Sequence, residues 1–261
     1  MYNKRTLLID GDVTLYRVCS SAPSETFTFG DDVMVSDNTE LLQQRVLDDI
    51  QGILDVTGCS DYIFCLSGSR NYRKEHFPEY KTNRVSEKPQ GYAALKEWVL
   101  ATEEIETAQL SNLEGDDIMG MLATQYPRKY AIYSIDKDMK TIPTVLWSFK
   151  QLSFYKQSEE AANRFLYTQV LTGDPTDGYK GIPRIGKVKA EVILRDCHTE
   201  AEMSAAVLGA YMDYYGYSWV AVDKMQEQLG QARILHCDDY IQLTAHNHTY
   251  LGPLEQLAEN I

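Results

Sequence analysis

The chain has 261 residues, 44% of them hydrophobic and 24% charged, with a formal net charge of −13 from 25 Lys and Arg against 38 Asp and Glu. That composition excludes a disordered or collagen-like chain, and the length suffices to bury one large core or two moderate ones. Spread evenly, the acidity would also exclude nucleic acid as a partner, because phosphate binding rests on Lys and Arg.

In chain order, residues 6–9 form a short apolar run ending in Asp10-Gly11, which reads as a strand. Leu41, Leu42, Val46, Ile50, Ile53 and Leu54 recur at helical spacing. Residues 62–66 predict a strand. The segment 69–88 (SRNYRKEHFPEYKTNRVSEK) has no apolar face and is long for a connection, which marks a functional excursion. A helix over 92–101, a strand over 105–110, a helix over 116–125 and strands over 130–135 and 145–149 follow. Strands alternating with helices predict an α/β fold with a parallel sheet. After about residue 160 the strand signals fade. A helix over 163–171 leads into a Gly/Pro-rich loop over 173–186, then helices over 187–195, 199–214 and 220–236. The expected division is an α/β core over 1–160 and a helical region over 161–261.

No apolar run reaches the roughly 18 residues of a membrane span, and the start, MYNKRTLLIDGD, turns acidic before a signal-peptide apolar stretch develops. Five cysteines (Cys19, Cys59, Cys65, Cys197, Cys237) with no CxxC read as reduced thiols of a cytoplasmic protein. His236, Cys237, His246 and His248 fit no usual zinc spacing.

The acids are clustered. In an open α/β sheet, ligands sit at the carboxyl ends of the strands. Asp10 follows the first strand, Asp136 and Asp138 (SIDKD) follow 130–135, and Glu114, Asp116 and Asp117 (LEGDD) follow 105–110 at a helix start. Capping and the helix dipole explain one or two acids at a helix start, but not clusters after three separate strands. Asp174 and Asp177 (TGDPTDG) open the Gly-rich loop. Eight carboxylates meeting in one cleft need counter-ions, and oxygen-only ligands favour hard divalent cations, Mg²⁺ or Mn²⁺. Such ions suit phosphodiester hydrolysis.

Two segments are basic. Residues 69–88 carry Arg70, Arg73, Lys74, Lys81, Arg84 and Lys88 against three Glu, a local sum of +3, with Tyr72, Phe77 and Tyr80 interleaved. Cations with aromatics suit a surface that tracks and stacks a single nucleic-acid strand; a solvated charged loop is the plain alternative. Residues 178–190 (GYKGIPRIGKVKA) carry Lys180, Arg184, Lys187 and Lys189 and no acid. Their pattern Gly181-Ile182-Pro183-x-Ile185-Gly186-Lys187 resembles a helix-hairpin-helix, which aims backbone N–H groups and a helix start at a phosphate.

Together the stretches LLIDGD, RKEHFPEYKTNR, NLEGDD, YSIDKD and GDPTDGYKGIPRIGKVKA, in this order between residue 6 and about 195, resemble the 5′–3′ exonuclease/flap endonuclease family in its small phage-type form. The resemblance implies a PIN-like, parallel-sheet nuclease core with a helical arch over 69–90. A DNA-binding helix-three-turn-helix at about 173–195 would follow. It implies a Mg²⁺-dependent (or Mn²⁺-dependent) hydrolase with two or more ions, a role in DNA replication, and products ending in 5′-phosphate and 3′-hydroxyl. Its metal ligands map to Asp10, Glu114 and Asp116 for one region, with Asp117 near the interface, and to Asp136, Asp138, Asp174 and Asp177 for the second. Its catalytic cations map to Arg17, Lys81 and Arg84. DNA contacts are expected from Arg70, Arg73, Lys74 and Tyr80 in the arch, and from Lys180, Gly181, Ile182, Arg184, Gly186, Lys187 and Lys189 in the hairpin. The implied partners are DNA with 5′ flaps, nicks or 5′ ends, with RNA–DNA hybrid as a further substrate, bound by a monomer without a membrane in the cytoplasm (of the host, for a phage protein).

Two departures stand out. Where the family has an aspartate after the second sheet strand, this chain has Ser67, and Asp12 is an acid where the family has a neutral polar residue; the expectation is that Asp12 partly compensates. Gly178 also replaces a commonly polar residue. Two other readings remain open at this level. LLIDGDVT also fits a haloacid-dehalogenase-like phosphatase with Asp10 as nucleophile and Asp12 as acid/base, and loss of a ligand at Ser67 would fit a DNA-binding scaffold with weakened catalysis.

Overall fold

The computed structural model describes residues 2–21, 25–29, 32–36, 39–84 and 86–239. His246 and His248 lie outside these residues. The chain opens with β1 (Thr6–Asp10), runs directly into α1 (Gly11–Ser21), and continues through β2 (Glu25–Phe29), β3 (Asp32–Ser36), α2 (Thr39–Thr57) and β4 (Tyr62–Ser67). Then come α3 (Tyr72–His76), α4 (Tyr92–Ala101), β5 (Thr107–Leu110), α5 (Gly115–Gln125), β6 (Tyr130–Tyr133), β7 (Val145–Ser148) and β8 (Ser153–Lys156). The helices α6 (Glu159–Thr172), α7 (Lys187–Leu194), α8 (Glu200–Tyr215) and α9 (Trp219–Ala232) follow.

Among the described residues, six strands form one sheet in the order β5-β4-β1-β6-β7-β8, parallel except for β8 against β7. The chain builds from β1 outward through β4 and β5, then returns to the other side of β1 for β6. Strand order therefore reverses between β1 and β6, and that reversal leaves a crevice at the carboxyl ends of these strands. β2 and β3 pair with each other as an antiparallel ribbon.

Alternation explains why the strands read as unbroken apolar runs. Leu8, Ile63 and Cys65 face one buried cluster with α5, while Leu7, Ile9, Phe64 and Leu66 face another with α1, α2 and α4. A sheet covered on both faces has no solvent side to carry polar residues. The last four helices hold a third cluster around Leu166, Val170, Ala190, Val207 and Tyr211. After α9 the chain turns back, and Ile234 and Leu235 join the α5 side of the sheet.

Boundaries differ from expectation where local chemistry decides them. Ser158 accepts the Ala161 N–H at 3.2 Å and starts α6 at Glu159, four residues ahead of the predicted 163. The helix α1 escaped sequence reading because only Leu15, Val18 and Cys19 mark its buried stripe among polar and β-branched neighbours. The arch segment is less helical than the resemblance implies: among the described residues of 69–90, only the five-residue α3 is helical.

Candidate active site

Three candidate acids cap turns or helices at the crevice. Asp10, at the end of β1, accepts the Val13 N–H at 3.1 Å and the Ser134 hydroxyl at 2.6 Å. Glu114 is the N-cap of α5, and Asp136 accepts the Asp138 N–H at 2.8 Å at the start of the 3-10 turn Lys137–Thr141. Helix starts favour carboxylates, so capping accounts for each one singly. It does not account for their mutual repulsion. Burial, with Asp12 and Asp136 adding to it, pushes Asp10 up to about 6. Burial, then Asp10 and Asp136, push Asp116 well above the usual carboxylate range. Burial and Asp136 push Asp138 up to about 6. Acids from β1, α5 and the segment after β6 thus share one low-dielectric region.

Glycines bring these elements together. A Cβ on Gly11 would lie 2.7 Å from the Cys65 carbonyl oxygen, and one on Gly115 would lie 3.1 Å from the same atom. The Asp-Gly and Glu-Gly pairs let α1 and α5 begin against the β4 backbone.

The pocket is lined by Glu114, Asp116, Asp136, Asp138 and Asp177 together with Arg73, Tyr80, Lys81, Tyr179 and Gln231. Its free volume is about 20 Å³, room for about one water, so in this conformation it admits no nucleotide. The arch closes it. The Lys81 N–H donates to the Asp177 carbonyl at 2.8 Å, and Asn83 Nδ2 donates to the Pro175 carbonyl at 2.5 Å. Lys81 Nζ donates to Glu114 Oε1 at 2.6 Å and sits 3.8 Å from Asp177 Oδ2; Arg84 also pairs with Asp177. Burial disfavours ionised Glu114, yet Lys81 and Arg73 outweigh it and bring Glu114 down to about 2. Outside the pocket lining, Lys137 pairs with Asp174, whose carboxyl falls below its usual range because that lysine and the Thr176 N–H outweigh burial.

Whether this site suits a divalent cation rests on its donors. They are oxygens only, and Asp10, Asp116 and Asp138 are driven toward the protonated form by burial and by one another. A hard cation relieves that repulsion, and the chemistry fits. Among the described residues, no three His, Cys, Asp or Glu side chains converge as a ligand set. Lys81 and Arg84 pair with Glu114 and Asp177 at the pocket rim.

Several predicted site residues take other roles. Asp117 is fully buried, and its two oxygens accept four donors: Arg73 Nη1 and Nη2, both at 2.6 Å, the Leu235 N–H at 3.0 Å and the Glu114 N–H at 3.3 Å. Those bonds fill a carboxylate's acceptor capacity, so Asp117 is corrected from ligand to structural anchor. Arg73 is 2% exposed and bonded to Asp117 and Glu114, which removes it from the DNA-contact set. Tyr80 is 3% exposed and its hydroxyl donates to Glu114 at 2.9 Å; it packs the arch and offers no ring to a base. Arg17 does not line the pocket and pairs with Asp49 of α2 at 2.7 Å. Arg70 pairs with Glu75 on the surface, and Lys74 is exposed.

The hairpin divides in the same way. Gly181 gives its N–H to Gln228 Oε1 at 2.8 Å, and Ile182 is buried in the helical cluster, so both are structural and neither is a DNA contact. Lys180, Arg184, Gly186, Lys187 and Lys189 are exposed, and Gly186 caps α7 with open space around it. Four cations and a helix start face solvent on one turn.

Residues 5–165 match the family model described as 5′–3′ exonuclease, N-terminal resolvase-like domain. The chain belongs to the 5′–3′ exonuclease family. It is 39% identical over 142 residues to the exodeoxyribonuclease of Enterobacteria phage T3, which covers 51% of this chain and 46% of the relative. It is 34% identical over 169 residues to the exonuclease of Escherichia phage T7, covering 62% and 56%. The chain thus spans about half the length of these curated phage relatives. A flap endonuclease of bacteriophage T5, solved in complex with DNA and metal ions, superposes with a TM-score of 0.66 over 94% of each chain at 16% identity, a likeness of fold.

Within this exonuclease fold Ser67 and Asp12 meet. The Ser67 N–H donates to Asp12 Oδ2 at 2.7 Å, and the Ser67 hydroxyl accepts the Gly115 N–H at 3.0 Å. Asp12 also accepts from Tyr92 at 2.6 Å and Lys96 at 3.3 Å. Sequence reading missed these partners, and it missed the residues that orient the acids. Ser134 and Lys137 were legible, since they sit inside the SIDKD stretch. Gln169, which donates to Asp138 at 2.6 Å, gave no signal, and neither did Gln231, which lines the pocket and donates to the Glu227 carbonyl at 3.2 Å; a lone Gln on a helix has none.

Proposed function

We propose that the chain is a divalent-metal-dependent 5′ nuclease that hydrolyses DNA phosphodiester bonds as a 5′–3′ exonuclease and flap endonuclease. The observation that carries this reading is that Asp116, Asp136 and Asp138 line one pocket beneath a cationic arch, with Asp10 near enough to raise Asp116, on a chain whose next motif exposes four cations around a helix start. Mg²⁺ or Mn²⁺, two or more ions, would be held by Asp10, Glu114, Asp116, Asp136 and Asp138, with Asp174 and Asp177 beside them, and supplies water activation and charge neutralisation. The same reading makes DNA with 5′ flaps, nicks or 5′ ends the substrate, of a monomer in the cytoplasm.

The chain's own groups do the rest. Lys180, Arg184, Lys187 and Lys189, with the α7 start, grip duplex phosphates. Arg70 and Lys74 face the strand that enters beneath the arch. Lys81 and Arg84 are held on Glu114 and Asp177 in the closed arch. Transferred to the scissile phosphate as the arch opens, they stabilise the charge that develops on its oxygens. Burial of the crevice's ionised groups lowers the local dielectric, which strengthens each of these contacts. The phosphatase reading needs Asp12 as a proton donor, yet Lys96 and the Ser67 and Tyr92 bonds outweigh burial and hold Asp12 ionised.

The test is cleavage of 5′-labelled flap, nicked and blunt DNA with Mg²⁺ and with EDTA. The reading expects Mg²⁺-dependent products with 5′-phosphate and 3′-hydroxyl ends. A phosphorylated Asp10 with no DNA cleavage would replace it with the phosphatase reading.

A further inference from the structure

We propose that Arg73 is a positioning residue, which together with Asp117 fixes the Glu114 carboxylate on the pocket wall. This rests on the reading of Glu114 as a metal-facing group. Arg73 Nη1 lies 2.6 Å from Asp117 Oδ2 and 3.0 Å from Glu114 Oε2, so one nitrogen sets the spacing between the two carboxylates. Nη2 lies 2.6 Å from Asp117 Oδ1 and also donates to the Arg233 carbonyl. The guanidinium therefore joins three pieces of chain: α3 at the arch base, the α5 start with its N-cap Glu114 and Asp117, and the segment leaving α9.

The geometry separates this role from that of a plain ion pair. Asp117 turns away from the pocket and spends all its acceptors on fixed donors, whereas Glu114 keeps Oε1 on the pocket side, held by Lys81. A planar fork is needed to hold both carboxylates and a carbonyl at once; a lysine offers one point charge. Residues that orient a metal's ligands in this way cost roughly 10–100-fold in metal affinity when changed.

The experiment measures Mn²⁺ binding by titration calorimetry and thermal melting on the full chain. Arg73→Lys, which keeps the charge but loses the fork, is expected to fold with a lowered melting temperature and to bind Mn²⁺ about 10-fold more weakly. Replacing both buried charges by apolar side chains, Arg73→Met with Asp117→Leu, removes the cost of an unpaired charge. This double variant is expected to recover most of the melting temperature and not the affinity. Wild-type affinity in the double variant overturns the proposal and leaves a structural ion pair; if that variant does not fold, wild-type affinity in Arg73→Lys does the same. Glu114→Gln separates the underlying reading. If it leaves Mn²⁺ binding unchanged, Glu114 faces no ion and both statements fall together.

Discussion

Lys81 carries the most at the residue scale. Its ammonium is nearly buried between Glu114 and Asp177, and its backbone has a φ of 56°, an unusual conformation for a residue with a side chain. Lys81→Ala is expected to slow single-turnover DNA cleavage by about 100-fold while changing the DNA dissociation constant little; an unchanged rate would end its catalytic assignment. Asp10 gives a pH prediction. Its carboxyl titrates at about 6 when folded, against 3.8 when free. A raised acid is best tolerated protonated, so its stability contribution is complete below pH 3.8 and is lost as pH rises through about 6. Asp10→Asn should therefore stabilise the metal-free protein by a few kcal/mol at pH 7.5 and by little at pH 4, as read from melts in EDTA. A gain that is equal at both pH values would show that Asp10 is not strained by ionisation.

At the scale of elements, the arch and the loop after α6 act as one clasp. Asn83→Ala removes the ties from Asn83 Nδ2 to the Pro175 carbonyl and, at 3.4 Å, to the Thr176 carbonyl, together worth about 1 kcal/mol. Proteolysis between residues 77 and 90 should be faster in that variant, and unchanged protection would mean that the backbone pairing at Lys81 suffices. On the hairpin, Lys187→Ala should weaken duplex binding and lower the salt slope by about one. The strands β1, β4, β5, β6 and β7 were legible because both faces of the sheet are covered and their runs stay largely apolar; the β2–β3 ribbon and the edge strand β8, which has no fully buried residue, were not. The acids were legible because strand ends and helix starts bring chemistry into short motifs. What was not legible is direction. The segment containing Arg73 and Tyr80 reads as cationic and aromatic in either case, and only packing against α5 and α9 turns those two side chains inward. Gly181 and Ile182 misled similarly: a hairpin motif needs residues that build the turn as well as residues that touch DNA.

The whole molecule is joined by the return of the chain after α9. Ile234 and Leu235 lie in the sheet's cluster rather than that of the helices, and a Cβ on Gly120 of α5 would lie 2.4 Å from the Leu235 carbonyl oxygen. Gly120→Ala is expected to destabilise the protein by about 1–3 kcal/mol through overpacking, lowering the denaturant midpoint; an unchanged midpoint would mean that the return segment is not tightly seated. The net charge of −13 takes its meaning at this scale too. Much of it is concentrated on the crevice, where internal lysines and arginines balance it, while the cations of the hairpin remain outside. The central claim is that Asp10, Asp116 and Asp136 serve a cation that DNA cleavage requires. The most direct measurement is a Mg²⁺ titration of flap cleavage by wild type and by Asp116→Asn. The account predicts saturable Mg²⁺ dependence in the wild type and loss of cleavage at the same Mg²⁺ concentrations in the variant. Cleavage that persists in EDTA, or an Asp116→Asn curve that overlays the wild type, would contradict it.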